Sequence, residues 1–568
     1  MMTTCTWLQR FLVRFLVLAI LMAGPSASVF AAGTGTALPL SQERLQQGEK
    51  IYREGMLPSG EPVQALVKHD VPAPGTAFTC GSCHLRSGLG SIEGGVVTPP
   101  TNGRMLYSPL ELKYKQVQMD TKYFPFSFKR PAYTDATLAG AILGGIDPSG
   151  RELNPVMPRY QMNDGDLAIL IDYLKTLSAE VPPGAQGADV HFATIVTEEV
   201  PPQLREAFLY SLENLIRFKN NMAGFYSKNK RSARMVAAMV NQSKVEYQKL
   251  SLSTWVLKGA PESWPAQLAD YYRKDPVFAV LGGISTKEWK PIHDFCEQHK
   301  LPTLFPITDL PVISNTDWYT LYLSKGVYQE GESAARYLNS LESIQSGSVL
   351  QIVRNSPKGI RLAKGFDETW SELGHARVTT VTLNSGEQLS QARLKQLIAK
   401  HKPQVLLVWD DADALAGINA MAAVAAGPQY VFVSSTYMGP RFKTLKDALR
   451  DRTYIMYPFS LPRDEAAKKI SLEPLTGSKK FTGEAATVVL KVYSMANILT
   501  QALMDMRGSY YQDYFFDVIG MQADQPAPLY ERLSFGPGQR YASKGCYVVQ
   551  LTKGNNPEYL KKSEWVIY

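Results

Sequence analysis

The sequence predicts a multidomain chain: a small all-α domain followed by a larger α/β domain built on parallel sheets. Three observations carry that expectation. At 568 residues, with 45% hydrophobic and 20% charged residues, the chain has ordinary globular composition but exceeds what one core supports. A Cys-x-x-Cys-His motif, Cys80-Gly81-Ser82-Cys83-His84, sits among helical patterns near the N-terminus. Beyond a Pro- and Gly-rich linker at 181–189, strand-like and helix-like segments alternate to the C-terminus. That is the pattern of a doubly wound parallel sheet, and there is enough of it for two.

Residues 1–32 read as an export signal. Arg10 and Arg14 precede an apolar run from Phe15 to Ala23, and small residues then lead to Val29-Phe30-Ala31, a fit to a signal-peptidase site with cleavage near Ala31. The run is short for a membrane span, an uncleaved anchor being the alternative, and no cysteine follows to take a lipid. The expected location is the periplasm. The 60 basic and 52 acidic residues are interspersed rather than run together, which gives nucleic-acid binding little support.

Residues 33–180 form the expected all-α domain. Ser41 caps a first helix in which Leu45, Ile51 and Tyr52 recur at roughly helical spacing. Two thiols three positions apart, with histidine next, are what covalent haem c attachment requires: each thiol adds to a vinyl group, and His84 becomes the proximal iron ligand. A zinc half-site would need a second Cys/His pair nearby, and Leu85 to Pro158 contains neither residue. Met157, in a Pro-flanked loop, is the expected second axial ligand, with Met162 and His69 as rivals. Asp164 to Leu177 follows as a helix with Leu167, Leu170, Ile171 and Leu174 on one face. The attachment motif, Met157-Pro158-Arg159-Tyr160 and Leu170-Ile171-Asp172-Tyr173-Leu174 together resemble a class I monohaem cytochrome c over about Pro39 to Ala179. The resemblance implies three packed helices, one haem c with His84 and Met157 on the iron, and one-electron transfer to a periplasmic redox partner protein.

In residues 190–568 strands are expected at 190–196, 254–257, 277–283, 303–305, 348–353, 378–383, 405–409 and 430–434, with helices at 203–218, 289–299, 329–341, 362–373, 390–401 and 412–425. There is no P-loop and no His-Glu-x-x-His motif, and the histidines at 191, 293, 299, 375 and 401 sit in ordinary contexts, so catalysis on a substrate is not expected. Ligands of open parallel sheets sit at the carboxyl ends of strands, near helix N-termini. The candidates there are Ser285 and Thr286 for a carboxylate, Thr308 for a further hydroxyl, and Asp309, Asp410 and Asp411 for an ammonium group. Each also fits as a cap or turn former. Cys296 and Cys546 read as two lone buried thiols more readily than as a pair.

Leu281-Gly282-Gly283-Ile284-Ser285-Thr286, Leu301 to Pro311, Leu323 to Leu338 and Leu533 to Gln539 resemble segments of the type I periplasmic binding-protein family, of the branched-chain amino-acid and amide kind used with ABC transporters. The resemblance implies a two-lobed domain, a small-molecule ligand and an ABC permease partner. One departure stands out: Glu198-Glu199-Val200-Pro201-Pro202 follows the first strand where amino-acid binders of that family have a glycine-rich start. The combined expectation is a periplasmic electron carrier with a fused ligand- or partner-binding domain. The alternative is an ABC-type solute-binding protein or ligand sensor for amino acids, amides or small organic acids, with an accessory haem.

Overall fold

The computed structural model describes residues 41–567, apart from 69, 94–95, 114–126, 188, 240–247, 342–343, 345–347, 424–426, 463–469, 526 and 537. The export signal, its cleavage near Ala31, and His69 therefore lie outside the described residues.

The C-terminal region folds as two lobes, each on its own sheet. The first sheet is all parallel, in the order Thr320–Leu321, Thr303–Leu304, Ala279–Leu281, Asp189–Thr197, Lys249–Leu257. Asp189–Thr197 is buried along most of its length, as a central parallel strand covered on both faces must be. The second sheet runs Thr379–Leu383, Val349–Arg354, Val405–Trp409, Tyr430–Ser434, Thr453–Tyr457 in parallel. Gly545–Leu551 and Tyr559–Lys561 extend it antiparallel. The expected strands at 405–409 and 430–434 match residue for residue, each a short apolar run between polar breaks. The helix expected at 203–218 runs on to Lys228, and the one at 412–425 shortens to Ala414–Ala420.

The chain passes between the lobes after Leu321, again after Tyr457 and again before Gly545. The middle excursion carries helices Gly483–Asp505 and Gln512–Gly520 back to the first lobe, where Val489, Met495 and Phe515 share a core with Phe192, Phe208 and Phe278. Cys296 and Cys546 are separate buried thiols. Among the described residues no helix is long and apolar enough to cross a membrane.

The N-terminal region corrects the all-α expectation. Helices Gln42–Glu54, Cys80–His84, Gly103–Leu106, Asp135–Gly144 and Asp164–Thr176 are present, and Ile51, Tyr52, Leu138, Leu170 and Leu174 form one core. Gln64–Val67, however, pairs antiparallel with both Val71–Pro74 and Arg159–Gln161, and two further antiparallel strand pairs follow the motif. The long intervals between helices bring buried backbone that needs partners. Ala65, opposite Tyr160, turns inward while Gln64 faces out, so the interval is satisfied as strand.

Candidate functional site

Strand-end loops from both lobes meet at a cleft. Thr308, Asp309, Lys491 and Tyr530 from the first lobe, Thr436 from the second and Phe459 just past the middle crossing line a cavity of about 20 Å³, room for a single water. Lys358, in the first turn of Pro357–Glu372, reaches across to Asp309 with Nζ to Oδ2 at 2.7 Å, so the lobes are closed on each other. Burial raises the Asp309 carboxyl, but Lys358 and Lys491 together outweigh it and hold the group below its ordinary value. Burial lowers the Lys491 ammonium, Asp309 pulling the other way. Among the described residues Lys491 makes no ion pair. Thr308 lines the cleft while its hydroxyl accepts from Leu310 N at 3.0 Å.

Ser285 and Thr286 stand at a strand end as expected, but their donors are engaged. Oε1 of Glu199 accepts from Thr197 Oγ1 at 2.5 Å, Ser285 Oγ at 3.1 Å, Thr286 N at 3.3 Å and Thr286 Oγ1 at 3.4 Å. Burial works against the Glu199 carboxylate, yet these hydrogen bonds and Lys287 bring its pKa below the usual range. The chain's own carboxylate thus stands where a ligand's was expected. The helix expected behind these residues begins only at Lys290.

Asp410 and Asp411, the other carboxylates expected for an ammonium group, have partners within the chain. Asp410 is fully buried and takes both arms of Arg354 at 2.7 Å each, a bidentate pair that exhausts its charge. Asp411 accepts from Asp413 N at 2.9 Å, which makes it a turn residue. The sequence showed no nucleophile beside a base, but the fold places His191 between Ser251 Oγ at 2.6 Å and Asp275 at 2.9 Å. The Ser251 hydroxyl donates to Asp189, and Ser253 Oγ lies 3.2 Å from His191 Nε2, so this chain of bonds ties the first two strands of the lobe to the helix end at Asp275.

The N-terminal domain holds a second cavity, of about 250 Å³, lined by Cys80, Cys83, His84 and Met157 with apolar walls that include Tyr52, Leu170 and Leu174. Thr79 caps the short helix by accepting from Ser82 N. His84 Nδ1 lies 2.8 Å from the Pro99 carbonyl, which makes Nδ1 the donor and leaves Nε2 as the available nitrogen. Burial lowers His84 to about 4, so its ring is neutral. Leu85, next in the chain, has φ +65°, a strained value for leucine, and its carbonyl is held by Tyr52 OH at 2.7 Å. Met162 packs against the domain core instead of lining the cavity. All four residues singled out by sequence converge here.

The segment after His84 is fastened to the first lobe, a feature the sequence reading missed. Asp517 accepts from Ser87 N at 2.9 Å and Arg86 N at 3.3 Å. Asp513, one turn earlier, pairs with Arg86 at 3.3 Å and Arg53 at 3.1 Å. Burial raises the Asp517 carboxyl to about 6, the Ser87 contacts opposing it.

The matching family model is that of periplasmic binding proteins, and it spans residues 221–529. The chain belongs to this family. No curated protein matches it. Among solved structures it is similar to a branched-chain amino-acid ABC transporter protein from Thermus thermophilus with bound valine, at 12% identity and TM-score 0.46 over 67% of this chain and 98% of that one. A solute-binding protein from R. palustris in complex with benzoate gives the same four figures. A type 1 periplasmic binding protein from Bordetella pertussis gives 13% and 0.45 over 66% of this chain and 100% of that one.

Proposed function

We propose that this chain is an exported solute-binding protein of the kind that serves ABC importers, with a small organic acid as its solute and a covalently held haem c in its N-terminal domain. The interlobe cleft carries the first half of the reading: two lobes close on a polar pocket in which Lys491 is a cation without an ion pair. A carboxylate is the group that complements it. The closed pocket of about 20 Å³ admits no solute, so binding requires the lobes to part at their crossings, and a solute reaching both Lys491 and Thr436 then favours reclosure. Glu199 argues against an α-amino acid held by Ser285 and Thr286, whose donors it already fills. The family supports the periplasm as compartment and an ABC permease as partner.

Cys80, Cys83, His84 and Met157 support the haem, since two thiols, a neutral imidazole and a thioether around one apolar crevice are the donor set that haem c takes. When bound, it supplies one-electron transfer. The chain's own part would be to tether the group through Cys80 and Cys83, to orient His84 through the Pro99 carbonyl, to offer the Met157 thioether from the same cavity, and to exclude water with Tyr52, Leu170 and Leu174. Electron delivery to a periplasmic redox partner is the second reading, favoured by the closed cleft.

A thermal-shift screen of the full chain against amino acids, amides and small organic acids tests the solute. At a hundred times its Kd a ligand adds about 2.7 kcal/mol, a shift of several degrees. An organic acid that shifts the wild type and not Lys491→Met is the expected result, and a screen without any acid hit defeats the reading. Haem that stays with the denatured chain, read by its absorption spectrum, tests the cofactor, and a chain matured in a haem-attaching periplasm yet free of haem rules it out.

A further inference from the structure

We propose that a third cavity, between the Cys80–His84 helix and the first lobe, binds a small carboxylate with a flat apolar body, anchored by Arg540. The cavity holds about 250 Å³ and takes its walls from both domains, Gly81 and Ser82 on one side and Trp318, Phe516 and Phe535 on the other. Its charged lining is Arg53, Arg86 and Arg540 against Asp517 and Glu93. Most of these charges are already answered. Arg53 and Arg86 share Asp513, Asp517 accepts the Arg86 and Ser87 N–H groups, and Glu93 is exposed to solvent.

Arg540 is the exception. Its side chain is only 8% exposed, its guanidinium lies 3.6 Å from the Trp318 ring centroid, and its Nε is buried without a hydrogen-bond partner. Among the described residues no carboxylate is within ion-pair distance of it; Glu297 and Asp517 act on it from further away, and Arg86 opposes them. Stacking on indole is favourable, but it does not replace the hydrogen bonds a buried guanidinium loses on leaving water. A carboxylate matches the guanidinium fork in two parallel bonds, and Trp318, Phe516 and Phe535 provide flat apolar surface for the rest of the molecule. Because both domains supply wall, an occupant also bridges the lobe to the segment that follows His84.

The test uses the full chain carrying Lys491→Met, so that any carboxylate bound in the interlobe cleft is removed beforehand and failure of the cleft reading leaves the outcome unaffected. Titration calorimetry with benzoate, acetate and inorganic phosphate is expected to give one benzoate per chain, bound at least tenfold more tightly than acetate, with phosphate weakest. Adding Arg540→Gln is expected to weaken benzoate at least tenfold. Phe535→Ala, which keeps the anchor, is expected to weaken benzoate more than acetate, and it stands in if the Arg540 variant does not melt cooperatively. No benzoate binding, phosphate tighter than benzoate, undiminished benzoate binding with Arg540→Gln, or equal losses for both acids with Phe535→Ala would overturn the proposal.

Discussion

Replacing Glu199 by Ala tests whether an internal carboxylate has taken a ligand's place. Four donors converge on one oxygen of Glu199: Thr197 Oγ1, Ser285 Oγ, Thr286 N and Thr286 Oγ1. A hydrogen bond to a charged group contributes about 1.5–3 kcal/mol, but the contributions do not add freely. Thr286 is exposed, so water replaces its two bonds. Thr197 and Ser285 are buried, and each has a carbonyl within 3.4 Å to fall back on, Ile284 O and Lys287 O. The expected loss is therefore about 2 kcal/mol, well below the sum of four bonds. The assay is a thermal melt of wild type and variant across a series of acetate concentrations. Acetate should enter the vacated position and raise the Tm of Glu199→Ala while leaving the wild type unmoved at that site. Within an acid series Glu199→Gln should also be less pH-sensitive. The folded pKa of Glu199 is depressed, so its stabilisation is present above the ordinary carboxylate range and is lost as pH falls through the lower folded value. A variant as stable as wild type, or acetate raising both melts equally, refutes the argument.

Three further outcomes are expected. Asp410→Ala should destabilise the chain by about 3 kcal/mol or more by leaving Arg354 buried without its partner, and denaturant unfolding checks this. Glu330, fully buried, is lifted by burial to about 7 against the pull of Thr436 and Ser434. Its favourable neutral form is complete below the unfolded carboxyl pKa and is lost as pH rises through 7, so stability should fall by about 3 kcal/mol across that window. The Glu330→Gln variant should flatten the decline, measured as unfolding midpoint from pH 5 to 8. Met157→Ala should abolish the sulfur-to-iron charge-transfer band of the haem-loaded chain and Cys80→Ala should weaken covalent retention, both read by absorption spectroscopy; a surviving band would assign the axial ligand elsewhere.

The N-terminal crevice was the more legible of the two expected sites, because its chemistry is written locally. The Cys80–His84 spacing sets both thiols and the imidazole on one turn, and the Pro155–Pro158 loop marks Met157. The solvent-exposed alternation around Gln64 is short and weak, so its strand pairing was missed. In the C-terminal region Val405–Trp409 and Tyr430–Ser434 were readable as apolar runs bounded by polar residues. Gly483–Asp505 and Gln512–Gly520 were not assigned, and they are the helices that bring Lys491 and Asp517 to their places. The ligand candidates chosen by strand-end position failed where a partner distant in sequence claims the same atoms, as Glu199 claims Ser285 and Arg354 claims Asp410.

The sequence by itself determined the alternating α/β class of the C-terminal region and the grouping of Cys80, Cys83 and His84 on one turn, because periodicity and short-range spacing act over a few residues. The tertiary structure decided which charges remain available. Asp410 and Asp309 look alike at strand ends, but one is spent on Arg354 inside a lobe and the other spans the cleft to Lys358. Lys491 and Arg540 carry no local signal, and they stand out because folding withdrew them from water with carboxylates nearby, Asp309 for one and Glu297 and Asp517 for the other, but none in an ion pair with either among the described residues. Long-range packing sets desolvation and charge pairing, and those are the terms that make an ordinary lysine or arginine into a binding group.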